Sequence, residues 1–252
     1  MELKMMIRCA LALVCVMPLV CDGFQQRKST HLGRSRTNLS SSGGGDAILE
    51  APGWEGVRKL LNELPVFCCA NVQGQPLQYE MDGKPLAMFY ACVDAAKAEL
   101  ALARKEYPEL ELDIVPFQLG EAFRLSRQGA GILVPSKESL IAAGAPRDAS
   151  PVGQELPLFC CMEMAQEVDG TAMLPMFMDM ASAKAAVAEA SKAGGDDGDQ
   201  LEIVGLSLNK AIEQLVSLDS PAFMFVPPAS SLAHIQAYLD ASGGAPVSSD
   251  DL

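Results

Sequence analysis

Two adjacent cysteine pairs recur in this chain at a spacing of 92 residues, Cys68-Cys69 and Cys160-Cys161. A thiolate can act as nucleophile, metal ligand or redox partner, so these are the residues best equipped for chemistry. The chain has eight cysteines, and Cys9, Cys15 and Cys21 lie in or beside an apolar N-terminal run, leaving five with Cys92. An odd count opposes a complete disulfide framework. There is no C-x-x-C and no histidine at zinc-ligand spacing, so neither a redox nor a zinc motif is present. Neighbouring residues on a strand point to opposite faces, and a bond between them would strain the backbone. The pairs therefore read as buried free thiols that pack as small hydrophobes. A redox-sensitive pair is the alternative, because the doublet occurs twice at one place in a repeat.

Other reactive groups are sparse. Residues 43–252 contain one histidine, His234, on the predicted closing helix. It reads as a surface or cap residue. No nucleophile elbow, phosphate-binding loop, dinucleotide fingerprint or H-E-x-x-H helix occurs. Thirty carboxylates in the same span make chance pairs inevitable, and an acid/base pair needs environments that separate two pKa values. Gly194–Asp199 offers three aspartates without the frame or terminal Glu of a calcium loop, so it reads as a solvated loop. The expectation is no catalytic residue, cofactor or metal, and no enzyme.

Methionine is the remaining signal. Seven of 13 lie between Met162 and Met224. Met162 and Met164 would share one strand face, and Met176 and Met178 another. With Phe89 and Phe177 beside them, they are the candidate lining of an adaptable apolar groove for extended polypeptide. Core filling by flexible side chains is the competing reading.

The elements that must position these residues are written twice. Glu63-Leu-Pro-Val-Phe-Cys-Cys69 matches Glu155-Leu-Pro-Leu-Phe-Cys-Cys161 at six of seven positions. Ile132–Pro135 pairs with Met224–Pro227, again 92 apart, and Asp113–Leu119 with Glu202–Leu208 at a spacing of 89. An ordered series of matches defines an internal repeat. Each copy reads as a strand (Leu64–Val72; Leu156–Met164), turn residues, a second strand (Leu86–Tyr90; Met173–Met178) and an Ala-rich helix (Val93–Tyr107; Met180–Ala193). A third strand follows (Leu110–Leu119; Leu201–Leu206), then a short amphipathic helix capped in the second copy by Ser207 or Asn209. A fourth strand ending at proline and a closing helix complete the unit. The fold class is α/β (α+β): two tandem related halves, each a mixed β-sheet with packed helices. The boundaries are a leading helix at 43–62, a first repeat at 63–144, a linker at 145–154, a second repeat at 155–241 and a loose tail at 242–252. Each copy has few enough strands to need a partner surface.

Charge divides the chain differently. Residues 1–42 carry a net charge of +4 and residues 43–252 a net of -17. An acidic body is unsuited to a nucleic-acid backbone. Cys9–Val20 is almost wholly apolar, but its 12 residues reach only about 18 Å against a hydrocarbon core of about 30 Å. Residues 1–23 thus read as a signal peptide cleaved between Gly23 and Phe24. Residues 24–42 hold four Lys/Arg, seven Ser/Thr and no acid, the composition of a transit peptide. The expected mature chain has no integral membrane span. A signal peptide followed by a Phe-led transit peptide resembles the bipartite presequence of algae with secondary plastids.

The E-L-P-[VL]-F-C-C strands, the Met-Phe strands, Ile114-Val-Pro-Phe-Gln-Leu-Gly-Glu-Ala-Phe123, Ile203-Val-Gly-Leu-Ser-Leu-Asn-Lys-Ala-Ile212 and the Val-Pro endings resemble the Tic twenty-two-like family over about residues 55–240. That resemblance implies two related α/β halves with apolar grooves, no catalytic residue, and an escort of preproteins and their transit peptides across the plastid envelope intermembrane space. The implied partners are preproteins, transit peptides and envelope translocon subunits. A plastid redox enzyme using the paired cysteines, or a scaffold subunit of an envelope complex, is the alternative.

Overall fold

The computed structural model describes residues 26–27, 45–81, 83–168, 171–193, 201–217 and 223–241. The Gly23–Phe24 junction, most of the two presequence segments, the acidic loop at 194–199 and the tail at 242–252 lie outside them.

Eleven strands and eight α-helices are described. The strands are β1 (Gln26–Arg27), β2 (Pro65–Asn71), β3 (Gln78–Met81), β4 (Lys84–Tyr90), β5 (Leu112–Gln118), β6 (Gly131–Val134), β7 (Pro157–Cys160), β8 (Gln166–Val168), β9 (Thr171–Phe177), β10 (Val204–Ser207) and β11 (Phe223–Val226). The helices are α1 (Gly45–Leu49), α2 (Trp54–Asn62), α3 (Val93–Glu106), α4 (Leu119–Arg127), α5 (Lys137–Ala142), α6 (Met180–Ala193), α7 (Leu208–Leu215) and α8 (Ala229–Ala241).

The two copies share one topology. In the first, β4 pairs antiparallel with β3 and β2, β2 antiparallel with β5, and β6 lies parallel to β4. In the second, β9 pairs antiparallel with β8 and β7, β7 antiparallel with β10, and β11 lies parallel to β9. Both sheets are mixed. The short β1 adds a parallel edge to β3. Register follows the repeat residue by residue: Phe67 faces Tyr90 and Cys68 faces Val115, as Phe159 faces Phe177 and Cys160 faces Val204. The bond from Leu119 N–H to the Leu64 carbonyl recurs from Leu208 to Leu156, at 2.9 and 2.8 Å.

Several expectations are corrected. The leading helix is two helices, α1 and α2, separated at Ala51-Pro52-Gly53, since proline lacks an N–H and restricts the residue before it. Strands β3 and β8 occupy stretches read as turns. The strand expected over Leu156–Met164 stops at Cys160, where its partner β10 begins at Val204 and no ladder continues. Met162–Met164 forms a 3-10 turn instead, so those two methionines do not share a strand face.

Alternation along the strands divides the interior. Val66, Cys68, Phe89, Leu158, Cys160, Met176 and Met178 enter one core shared by both copies, which α2, α4 and α7 complete through Trp54, Leu61, Phe123 and Ile212. Trp54 and Phe123 lie with ring centroids 5.7 Å apart. Phe67, Cys69, Met88 and Tyr90 face the opposite way, onto α3; Phe159 and Phe177 do so onto α6. The copies therefore share most of their buried apolar surface, the largest favourable contribution to folding.

The closing helices exchange. Helix α8 ends the second copy but packs with Ile235 and Leu239 on the outer face of the first, beside α3. Helix α5 ends the first copy and packs against α6 of the second.

Candidate functional site: a cleft at the seam between the copies

Both copies place a Val-Pro motif after their last strand. Pro135 and Pro227 stop β6 and β11, since proline cannot donate to a ladder, and the chain turns directly into α5 or α8. The bonds from Ala91 N–H to the Val134 carbonyl and from Met178 N–H to the Val226 carbonyl, each 3.0 Å, tie the neighbouring strand end to the same corner. Ser136 caps α5, accepting from Ser139 N–H at 3.0 Å. Asp179 caps α6, accepting from Ser182 N–H at 2.8 Å and from its hydroxyl at 2.6 Å.

The starts of α3, α5, α6 and α8 consequently border one cleft of about 1070 Å³. Its apolar lining comes from both copies: Tyr79, Met88, Tyr90 and Leu102 from the first, Leu156, Met178 and Met180 from the second. Pro151 and Val152 of the linker also line it. Leu102 is 54% exposed and adds free apolar surface at the rim. Two tyrosines add polar atoms to the first-copy wall. Tyr79 donates to Glu99 at 2.9 Å, and Tyr90 reaches the Met88 sulfur at 3.4 Å. Burial, with Tyr90 and Glu99 adding to it, pushes the Tyr79 phenol far above its usual range, so it stays a neutral donor. Four helix N-termini carry positive partial charge; Asp94, Glu138 and Asp179 sit in or just before the first turns and offset it.

The predicted groove residues divide. Phe89, Met176, Phe177 and Met178 are buried, with exposures of 0, 2, 5 and 3%. Phe89 stacks on Phe117 at 4.7 Å within the shared core, and Met176 fills the same core. All four are thus packed against the protein itself, Phe177 on the side opposite to the other three, and of the six only Met178 borders the cleft. Met162 is 62% exposed on its 3-10 turn, away from the cleft lining. Met88 and Met180 also line the cleft, because the seam brings together elements distant in the chain.

The thiols are packing groups. Cys68, Cys69, Cys160 and Cys161 are buried and form no disulfide. Burial, reinforced by Cys69, pushes Cys68 up to about 12. Burial also raises Cys160 and Cys161, and Glu163 adds to both. Cys68, Cys160 and Cys161 are therefore not ready thiolates. His234 corrects the surface expectation: it is half-buried with its ring edge-on to Phe67 at 5.6 Å. No cluster of three or more His, Cys, Asp or Glu that could hold a metal occurs among the described residues. Nor is any helix among them long and apolar enough to cross a membrane.

Fold and cleft together define a class: a fused α/β duplicate that opens an apolar surface where its copies meet. Solved structures share that fold. Tic22 from Plasmodium falciparum superposes with a TM-score of 0.60 at 19% identity, covering 73% of this chain and 98% of its own. Anabaena Tic22, described as a protein of protein transport, superposes with a TM-score of 0.57 at 13% identity, covering 73% of this chain and 96% of its own. No family model and no curated protein matches the chain in sequence. The chain therefore has the fold of the Tic22 proteins.

Proposed function

We propose that this protein is a Tic22-like, non-enzymatic component of protein import into plastids, and that it holds preprotein segments in the seam cleft while they cross the envelope intermembrane space. The observation that carries the reading is the match of fold over nearly the whole of two Tic22 chains, one described as a protein of protein transport. The cleft suits the task chemically. A partner that covers its apolar wall gains about 25 cal/mol per Å² of apolar area buried, enough for reversible holding. The acidic body, with a net of -17 over residues 43–252, draws in Lys/Arg-rich transit peptides, an attraction that salt weakens. Residues 1–42 supply the route, a secretory entry followed by plastid sorting. The buried, raised thiols speak for binding over redox chemistry.

The test mixes the protein with a labelled transit peptide at low and high salt. Binding that weakens with salt and drops on Leu102→Asp is expected. Absence of binding at both salts defeats the reading. A fluorescent reporter fused to residues 1–42 should reach the plastid, and a secreted or cytosolic signal defeats the localisation.

A further inference from the structure

The repeat allows one copy to be used as a template for the other. On the first copy's outer face, Leu100 and Ala103 of α3 face Leu112 and Ile114 of β5, and all four are buried, at 7, 0, 4 and 5% exposure. Ile235 and Leu239 of α8 pack on this cluster. The same positions in the second copy are Val187 and Ala190 of α6, and Leu201 and Ile203 before β10. All four are only half-buried.

The difference follows from helix length. Aligned at the Val-Pro motif, Ile235 and Leu239 correspond to Ala143 and Arg147. Helix α5 stops at Ala142, and Gly144 turns the chain away with φ +96°, a conformation that favours glycine. Ala143 and Arg147 are exposed. The second copy thus retains the groove and lacks the two side chains that would fill it.

We propose that this groove is a docking site for an amphipathic helix of another polypeptide, one carrying two bulky apolar residues a turn apart. The occupant is read from α8, which performs that role within the chain on the twin groove. Apolar side chains at i and i+4 lie on one helix face, and Ile235 and Leu239 have that spacing. Polar groups contribute little to α8's docking: Ser231 Oγ and His234 Nε2 are buried without a hydrogen-bond partner among the described residues. A guest helix needs mainly the apolar pair. The site goes beyond the seam cleft and stands whether or not the cleft holds a preprotein.

The probe is a fluorescein-labelled synthetic peptide of residues 229–241, titrated by anisotropy into the full chain. Saturable binding of one peptide per chain is expected. Ile203→Asp should weaken it by about tenfold or more, because a carboxylate then faces an apolar partner. A peptide carrying Ile235→Asp and Leu239→Asp should not bind. If Ile203→Asp disturbs folding by circular dichroism, the half-exposed Val187→Asp is used in its place. Absence of saturable binding overturns the proposal. So does unchanged affinity in the groove variants, the result of peptide exchanging with α8 on the first copy. A chain dimer that the peptide dissociates, seen by sedimentation, would assign the groove to a second copy and overturn the partner.

Discussion

A buried thiol and a half-buried imidazole make opposite demands on pH. Cys68, Cys160 and Cys161 are held protonated by burial, with Cys68 pushed up to about 12. In a thiol titration of the native protein, Cys92 should react first, and the paired thiols only with unfolding. Rapid native reaction of all five would return the pairs to redox chemistry. His234 is shifted the other way. Burial lowers its pKa, Lys97 lowers it further, and Asp113 and Asp94 oppose the change. The folded state therefore favours neutral imidazole. Its contribution is complete above the unfolded value of about 6.5 and is lost as pH falls from there through the folded value. Urea unfolding at about pH 7.5 and about pH 5.5 should show a loss on acidification that is smaller in His234→Phe. Alternation correctly grouped Met176 with Met178, but it says which residues share a face and not what lies opposite. Here the opposite surface is the other copy, so the methionines are core. His234 was misread for the same reason: its contacts belong to a copy more than 90 residues earlier in the chain.

Close backbone approaches set the spacing of the central helices. A Cβ on Gly53 would lie 2.4 Å from the Val216 carbonyl oxygen, where α7 ends against the start of α2. One on Gly120 would lie 2.7 Å from the Arg58 carbonyl oxygen, between α4 and α2. Because these obstacles are backbone, they cannot rotate aside. Gly53→Ala should cost about 1–3 kcal/mol in urea unfolding, the range for overpacking a close-packed interior. A neutral result would mean that α7 can slide away from α2. Helices were read well from sequence: α6 has the expected bounds, and Ser207 caps α7 as one of two candidates. Strands β3 and β8 were missed. Gln78-Tyr-Glu-Met81 alternates over only four residues between two turn signals, and Gln166-Glu-Val168 has no apolar alternation of its own. They are strands because β4 and β9 extend past their other neighbours and offer a free edge.

At the scale of the whole molecule, the shared core and exchanged closing helices make the copies interdependent. Residues 43–154 and 155–252 expressed separately should each remain poorly folded, and should recover native circular dichroism when combined. Either half giving a cooperative thermal transition by itself would show that its core is sufficient alone. The duplication and the importance of the seam were legible because they are properties of sequence order; the match of the two Met-Phe strands was one residue out, since Phe177 holds the place of Tyr90. The cleft's lining was not. Tyr79, Leu102, Val152 and Met180 meet only because two closing helices cross, and no local pattern in any of the four segments reports that crossing.

The crossing of α8 also imposes an order in time. Chains are made, and pass through narrow translocation channels, from the N-terminus onward. The first copy's β-strands and α3 are complete by Val134, yet the helix that covers their outer face begins at Ala229. For that interval of synthesis, Leu112, Ile114 and Phe67 have α3 beside them but not Ile235 or Leu239. The nascent protein is then itself an unfinished chain, with part of an apolar face uncovered until its final helix arrives.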